Sequence, residues 1–291
     1  MQLRRCTGRI REAGVATAAI LLAGPAPVHA SPCVFDRAKL TFSGTPVEQA
    51  RCLLKPVARW GKLGQTAELP PVFTRLLGTR PQLDLKRLST LTAAAGVDHG
   101  TLARPVSRAR AGSASAPLAR YFVIHDTSSP WYGDGMFPAA LDTDARINNL
   151  SRYLGPNAVA HAFINRTGKI AFGHDFAVPW RATKREGLIG TAAKGLFLHV
   201  ENVQPRRRDP AGGPQNDAIA PDPGLSPAQY RSLALLYVVA SHRAGSWLVP
   251  AYHAALDDGI SDGHDDPQNF DLRRLDSEVG SLVATLTGPQ S

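Results

Sequence analysis

Between His253 and Pro267 the chain concentrates two imidazoles and five carboxylates in His253-Ala-Ala-Leu-Asp-Asp-Gly-Ile-Ser-Asp-Gly-His264-Asp-Asp266-Pro267. Far upstream, the apolar run Tyr121-Phe-Val-Ile ends in another imidazole and a carboxylate, His125-Asp126. A hydrolytic zinc site needs parts of this kind, three N/O ligands from distant segments with a fourth position open to water. Such a site demands a fold that carries a strand end and a C-terminal loop to one place. Open α/β sheets do this, because their pockets lie beyond the strand ends.

The pattern between these points agrees. Tyr121–Ile124 reads as a buried strand. Ala160–Asn165 followed by Arg166–Ile170 reads as a hairpin with Gly168 at its turn, and 196–203 as a further strand. Ser226-Pro227-Ala228-Gln229 is a capping box. It opens a helix with Tyr230, Leu233, Ala234, Tyr237 and Ser241 at helical spacing and Gly245 as its stop. Strands alternating with helices predict an α/β domain over 119–288, built on a central mixed β-sheet flanked by helices. Residues 205–224, rich in Pro and Gly and carrying Arg206-Arg207-Arg208, read as a surface loop.

Upstream of that domain the reading changes. Arg4, Arg5, Arg9 and Arg11, the apolar stretch 14–22 and Val28-His29-Ala30 predict an export signal over 1–30. Its apolar run is too short for a permanent membrane anchor, so no membrane-spanning segment is expected after cleavage. Cys33 does not directly follow the cut, which argues against a lipoprotein. A periplasmic or secreted location follows. Cleavage removes Cys6 and leaves Cys33 and Cys52, a pair that reads as a disulfide in an oxidising compartment. Residues 31–110 read as a mainly helical region. One helix starts at the capping box Thr45-Pro46-Val47-Glu48 and ends near Pro56, and another spans 85–95 before Gly96. Residues 111–118, small and polar, read as a linker.

Formal charge is +9, and four Arg and one Glu leave with the signal, so the mature chain carries +6. The basic residues are dispersed and form no recognition motif, which excludes a nucleic-acid partner. An attraction to anionic envelope polymers remains open beside the plain reading that the charge aids solubility.

Five short pieces, taken in order, carry a resemblance. They are Val123-Ile-His125, His161-Ala-Phe-Ile-Asn-Arg-Thr-Gly168, Val200-Glu201-Asn202, Leu225-Ser-Pro-Ala-Gln-Tyr230, and His253 with Asp266-Pro-Gln-Asn-Phe-Asp271. Residues 120–285 resemble the zinc-dependent N-acetylmuramoyl-L-alanine amidases of the type-2 amidase family, which includes peptidoglycan recognition proteins. The resemblance implies Zn2+ as cofactor and His125, His253 and Asp266 as its ligands. The spacing from His253 to Asp266 is longer than is usual in that family and keeps His264 open as the alternative imidazole. It further implies Glu201 as the group that orients or deprotonates the attacking water, and His264 in the place of an oxyanion-stabilising Lys. His161 matches a position near the substrate cleft, with a purely structural hairpin role as the equal alternative. His99, His174, His199 and His242 read as structural. The implied substrate is peptidoglycan or a muropeptide, cut between N-acetylmuramic acid and L-alanine. A peptidoglycan-binding module of the same fold without catalysis is the alternative.

Overall fold

The computed structural model describes residues 33–66, 68–97, 100–106, 119–213 and 216–288. The expected export signal (1–30), the linker (111–118) and His99 lie outside these residues. Two short paired strands, β1 (Phe35–Asp36) and β2 (Thr41–Phe42), lead into helices α1 (Pro46–Leu53), α2 (Pro71–Leu76), α3 (Leu85–Ala94) and α4 (Gly100–Ala103). Then follow β3 (Tyr121–Asp126), β4 (Ala162–Ile164), β5 (Ile170–Phe172), α5 (Lys184–Ile189) and β6 (Phe197–Asn202). The chain continues through β7 (Arg207–Gly213), β8 (Asn216–Ile219), α6 (Pro227–Ala244), β9 (Val249–Tyr252), α7 (His253–Leu256) and α8 (Leu272–Thr287).

Five strands form a mixed sheet in the order β5-β4-β6-β3-β9. β3 runs parallel to both β6 and β9, β4 runs parallel to β6, and β5 alone turns back on β4. All six residues of β3 and of β6 are buried, which fits strands in the interior of a parallel array covered by helices. Gly168 makes the β4–β5 turn possible. Its φ of +84° is open to glycine, and an added Cβ would meet Ala228 O at 3.0 Å.

The helix starts are local chemistry. Ser226 Oγ accepts from Gln229 N (3.1 Å) while Gln229 Oε1 accepts from Ser226 N (3.0 Å), so two amides that the helix leaves unpaired are satisfied. Thr45 and Glu48 do the same for α1. Gly245, at φ 70°, closes α6 in the left-handed conformation. Most of α6 is buried, and α8 packs along it through Leu275, Val279 and Leu286. Among the described residues no helix is long and apolar enough to cross a membrane.

The described residues between 33 and 106 share the core of the sheet. Phe42 meets the Tyr121 ring edge-on at 5.3 Å, and the Tyr121 hydroxyl accepts from Phe42 N and donates to Gln49 Oε1. Phe73 packs on Tyr237 of α6, and its amide donates to Asp276 of α8 (2.9 Å). Cys33 and Cys52 are disulfide-bonded, tying the chain ahead of β1 to α1.

The stretch 205–224 departs from expectation. Instead of a plain surface loop it forms the antiparallel hairpin β7–β8, with Arg207 beside Ile219 and Gly213 beside Asn216. Its register breaks between Arg208 and Gly213, the interval that contains Pro210, which has no N–H to give a ladder. Arg206 is not part of a surface patch either. It is fully buried and bound to Asp126.

Candidate metal centre

Strand register assembles the centre. In the parallel β3–β6 pair His125 stands beside Glu201 and Asp126 beside Asn202. In β3–β9, Ile124 stands beside Tyr252, so the next residue, His253 at the start of α7, arrives level with His125. The two Nδ1 atoms lie 2.9 Å apart. Asp266 reaches the same point from the loop before α8. Asp126 N donates to its Oδ2 (3.0 Å), and its own carbonyl accepts from Ala254 N (2.8 Å). Its Oδ1 lies 3.1 Å from His253 Nδ1 and its Oδ2 3.7 Å from His125 Nδ1. One donor atom from each of His125, His253 and Asp266 falls within 4.8 Å of the others, and all three residues are buried.

This group can hold a metal ion. Two imidazole nitrogens and a carboxylate oxygen converge in a dry place, where such donors are costly to gather without a charge to share. The electrostatics point the same way. Burial, reinforced by the neighbouring His253 and His199, holds His125 well below the ordinary histidine range and so keeps it neutral. Burial also opposes charge on His253, but Asp266 and Asp257 outweigh it and push that ring up to about 10. Burial opposes charge on Asp266, yet His253 holds its carboxyl below the usual range. Without a metal, His253 therefore supplies the cation that the carboxylates demand. A divalent ion on its Nδ1 would supply that charge instead.

Glu201 stands at the edge of this cluster, Oε1 4.0 Å from His125 Nδ1. Burial, and then Asp266, raises its carboxyl well above the usual range. Its Oε2 is buried with no hydrogen-bond partner among the described residues, an uncommon condition for a carboxylate oxygen. A cavity of about 480 Å³ opens over the cluster, lined among others by Tyr153, Phe163, Trp180, Glu201, His264 and Asp266.

His253, not His264, stands with His125 and Asp266. The His264 ring lies outside them, half exposed and stacked on His253 at 4.1 Å, with Nδ1 3.3 Å from Asp257 Oδ2. His161 does not line the cavity. Its Nδ1 accepts from His199 N (3.0 Å) and its Nε2 donates to Val178 O (3.1 Å), so both ring nitrogens are used by backbone in the interior.

Two supports were not anticipated from the sequence. His199 holds Nδ1 3.1 Å from His125 Nε2, while its own Nε2 lies 3.2 Å from Glu186 Oε2, with His199 and Glu186 both fully buried. The His199 ring braces His125 from behind through a hydrogen bond, while Glu186 lies close to His199 Nε2 but off the line that a hydrogen bond requires. The signal was the two-residue period of a strand, which puts His199 on the same face as Glu201. Arg206 is the other support. Its Nη2 reaches both oxygens of Asp126 (3.0 and 2.7 Å), and Asp126 in turn bears on the Asp266 loop through Gln268 N (3.3 Å). Burial raises Asp126 to about 7 against the pull of Arg206.

Compared with protein-family models, curated proteins and solved structures, the chain finds no match.

Proposed function

We propose that this chain is an exported zinc-dependent amide hydrolase that cuts peptidoglycan or muropeptides between N-acetylmuramic acid and L-alanine. The observation that carries the proposal is the meeting of His125, His253 and Asp266 around one point, with Glu201 beside it at a cavity wall and its Oε2 without a hydrogen-bond partner among the described residues. Two imidazoles and one carboxylate are a zinc donor set that leaves a fourth position free. Bound there, zinc would supply Lewis acidity that polarises a carbonyl and eases loss of a proton from water near neutral pH.

The protein's own groups do the rest. Glu201 accepts the proton of the attacking water as its oxygen bonds to the scissile carbonyl carbon. The same carboxyl then gives that proton to the departing amine as the C–N bond breaks. Burial, which raises its affinity for a proton, suits this double duty. His264, on the cavity wall, offers an N–H to the developing oxyanion. Tyr153 and Trp180 supply apolar surface on which a sugar or peptide can lie, with the buried Phe163 behind Tyr153. Trp180 is well braced for this, stacked on His174 at 3.9 Å and donating to Val159 O (3.0 Å). The choice of the muramoyl bond rests on the resemblance of residues 120–285 to type-2 amidases. The disulfide is compatible with an oxidising envelope.

Glu201→Gln tests the reading. The variant is expected to keep its zinc and to release stem peptides from purified sacculi at least about a hundredfold more slowly. Mass spectrometry of wild-type products should find a new L-alanine N-terminus beside intact muramic acid. Release by Glu201→Gln at the wild-type rate would remove Glu201 from the mechanism, and a different new amine would remove the substrate assignment.

A further inference from the structure

We propose that Asp257, His264 and the outward nitrogen of His253 form a second divalent-cation site, sharing one imidazole with the inner centre. His253 presents Nδ1 inward to His125 and Asp266. Its Nε2 points the other way, 3.2 Å from Asp257 Oδ2 but off the line that a hydrogen bond requires. His264 Nδ1 approaches the same carboxylate oxygen at 3.3 Å. One donor atom from each of the three lies within 4.8 Å of the others.

The carboxylate is aimed by backbone. Arg185 N donates to Asp257 Oδ1 (2.9 Å) and Lys184 N donates to Oδ2 over a longer distance (3.4 Å), so Oδ2 is shared between one long backbone contact and the two rings. A carboxylate placed solely to orient His253 would need one aligned bond to Nε2. It would not need a second imidazole stacked against the first at 4.1 Å with its own nitrogen on the same oxygen. The donor set repeats that of the inner centre, two nitrogens and one oxygen, which suits zinc and its neighbours in the first transition row. Access differs, since His264 is half exposed and the inner ligands are buried. The outer site therefore exchanges its ion with solvent more readily and holds it more weakly.

Filling both sites makes His253 a bridge. A neutral imidazole has one lone pair, so the outer cation displaces the Nε2–H proton, and one proton passes to solvent for each second ion bound. His264 lines the cavity. A cation on its Nδ1 fixes the proton on Nε2 and adds positive charge to the wall.

Equilibrium dialysis of the full chain against zinc alone, followed by metal analysis, tests the site without any substrate. Wild type is expected to take one tight equivalent and then a second at higher free zinc, with one proton released in the second step. His264→Ala, a change at a half-exposed ring, is expected to keep its melting temperature and stop at one equivalent. Saturation of wild type at one equivalent would overturn the proposal, as would a second equivalent retained by His264→Ala. The count is independent of peptidoglycan chemistry. Failure to release stem peptides would leave it standing, and a single equivalent would leave the Glu201 test unaffected.

Discussion

Replacing His199 with Leu puts an apolar side chain of similar bulk where the His125 ring now finds its support. His199 Nδ1 is 3.1 Å from His125 Nε2, and both rings are buried, so no solvent replaces the lost partner. Glu186 is less affected, because its Oε2 already accepts from Ala182 N, Thr183 N and Thr183 Oγ1 at 3.0–3.1 Å. One stranded ring nitrogen costs about 1–3 kcal/mol. Loss of a group that orients a metal-bound imidazole typically weakens metal affinity by about 10- to 100-fold, or roughly 1.4–2.8 kcal/mol. The two routes to a magnitude agree. Zinc affinity, measured by competition with a chromophoric chelator, is therefore expected to fall by one to two orders of magnitude. The melting temperature should drop by roughly 2–4 °C per kcal/mol for a chain of this size. His199→Gln, which keeps a polar group in reach of His125, should recover part of the affinity. If His199→Leu binds zinc within about twofold of wild type, the buried chain from Glu186 to His125 has no part in holding the metal.

Two further outcomes follow from the same geometry. In the metal-free protein the His253 pKa is raised from its ordinary 6.5 to about 10. Stability from its proton is thus complete below about pH 6.5 and is lost as pH rises through about 10, a decline on the order of a few kcal/mol. Urea midpoints at pH 7 and pH 10 should show this loss for the apo chain and much less of it once zinc occupies Nδ1, whereas an equal slope in both forms would argue against His253 as a ligand. Arg206→Met strands the buried Asp126 carboxylate that the guanidinium now neutralises. Breaking a buried pair in this way costs about 3–5 kcal/mol, so denaturant unfolding should show a shift of that order.

Much of this architecture is legible in the sequence because single residues dictate it. The capping pairs at Thr45 and Ser226, Gly168 in its turn, and the apolar run before His125 each have one favourable local conformation. Other features depend on contacts that a linear pattern does not show. Helix α8 shows its stripe in the sequence, Leu272, Leu275, Val279, Leu282, Val283 and Leu286 at helical spacing, but not that the stripe packs along α6 and α2. The β7–β8 hairpin forms in Pro- and Gly-rich chain because its strands have each other, not because their residues favour extension. At the centre, His125, His253 and Asp266 were visible as residue types that suit a metal. The burial that turns His161 inward and brings His199 against His125 depends on which face of the sheet each strand presents.

The wall behind Asp266 is furnished by chain from before the sheet begins. Gly61 lies so close to Asp265 that a Cβ there would come within 2.5 Å of the aspartate Cβ, and Arg59 grips Asp209 of the β7–β8 hairpin at 2.6 Å. Helix α1 meanwhile rests on β9 and α7, the two elements that deliver His253. A fragment cut to begin at residue 119 would lose more than an appendage. It would bare the greasy side of β9 and withdraw the brace from the turn that carries the acidic donor.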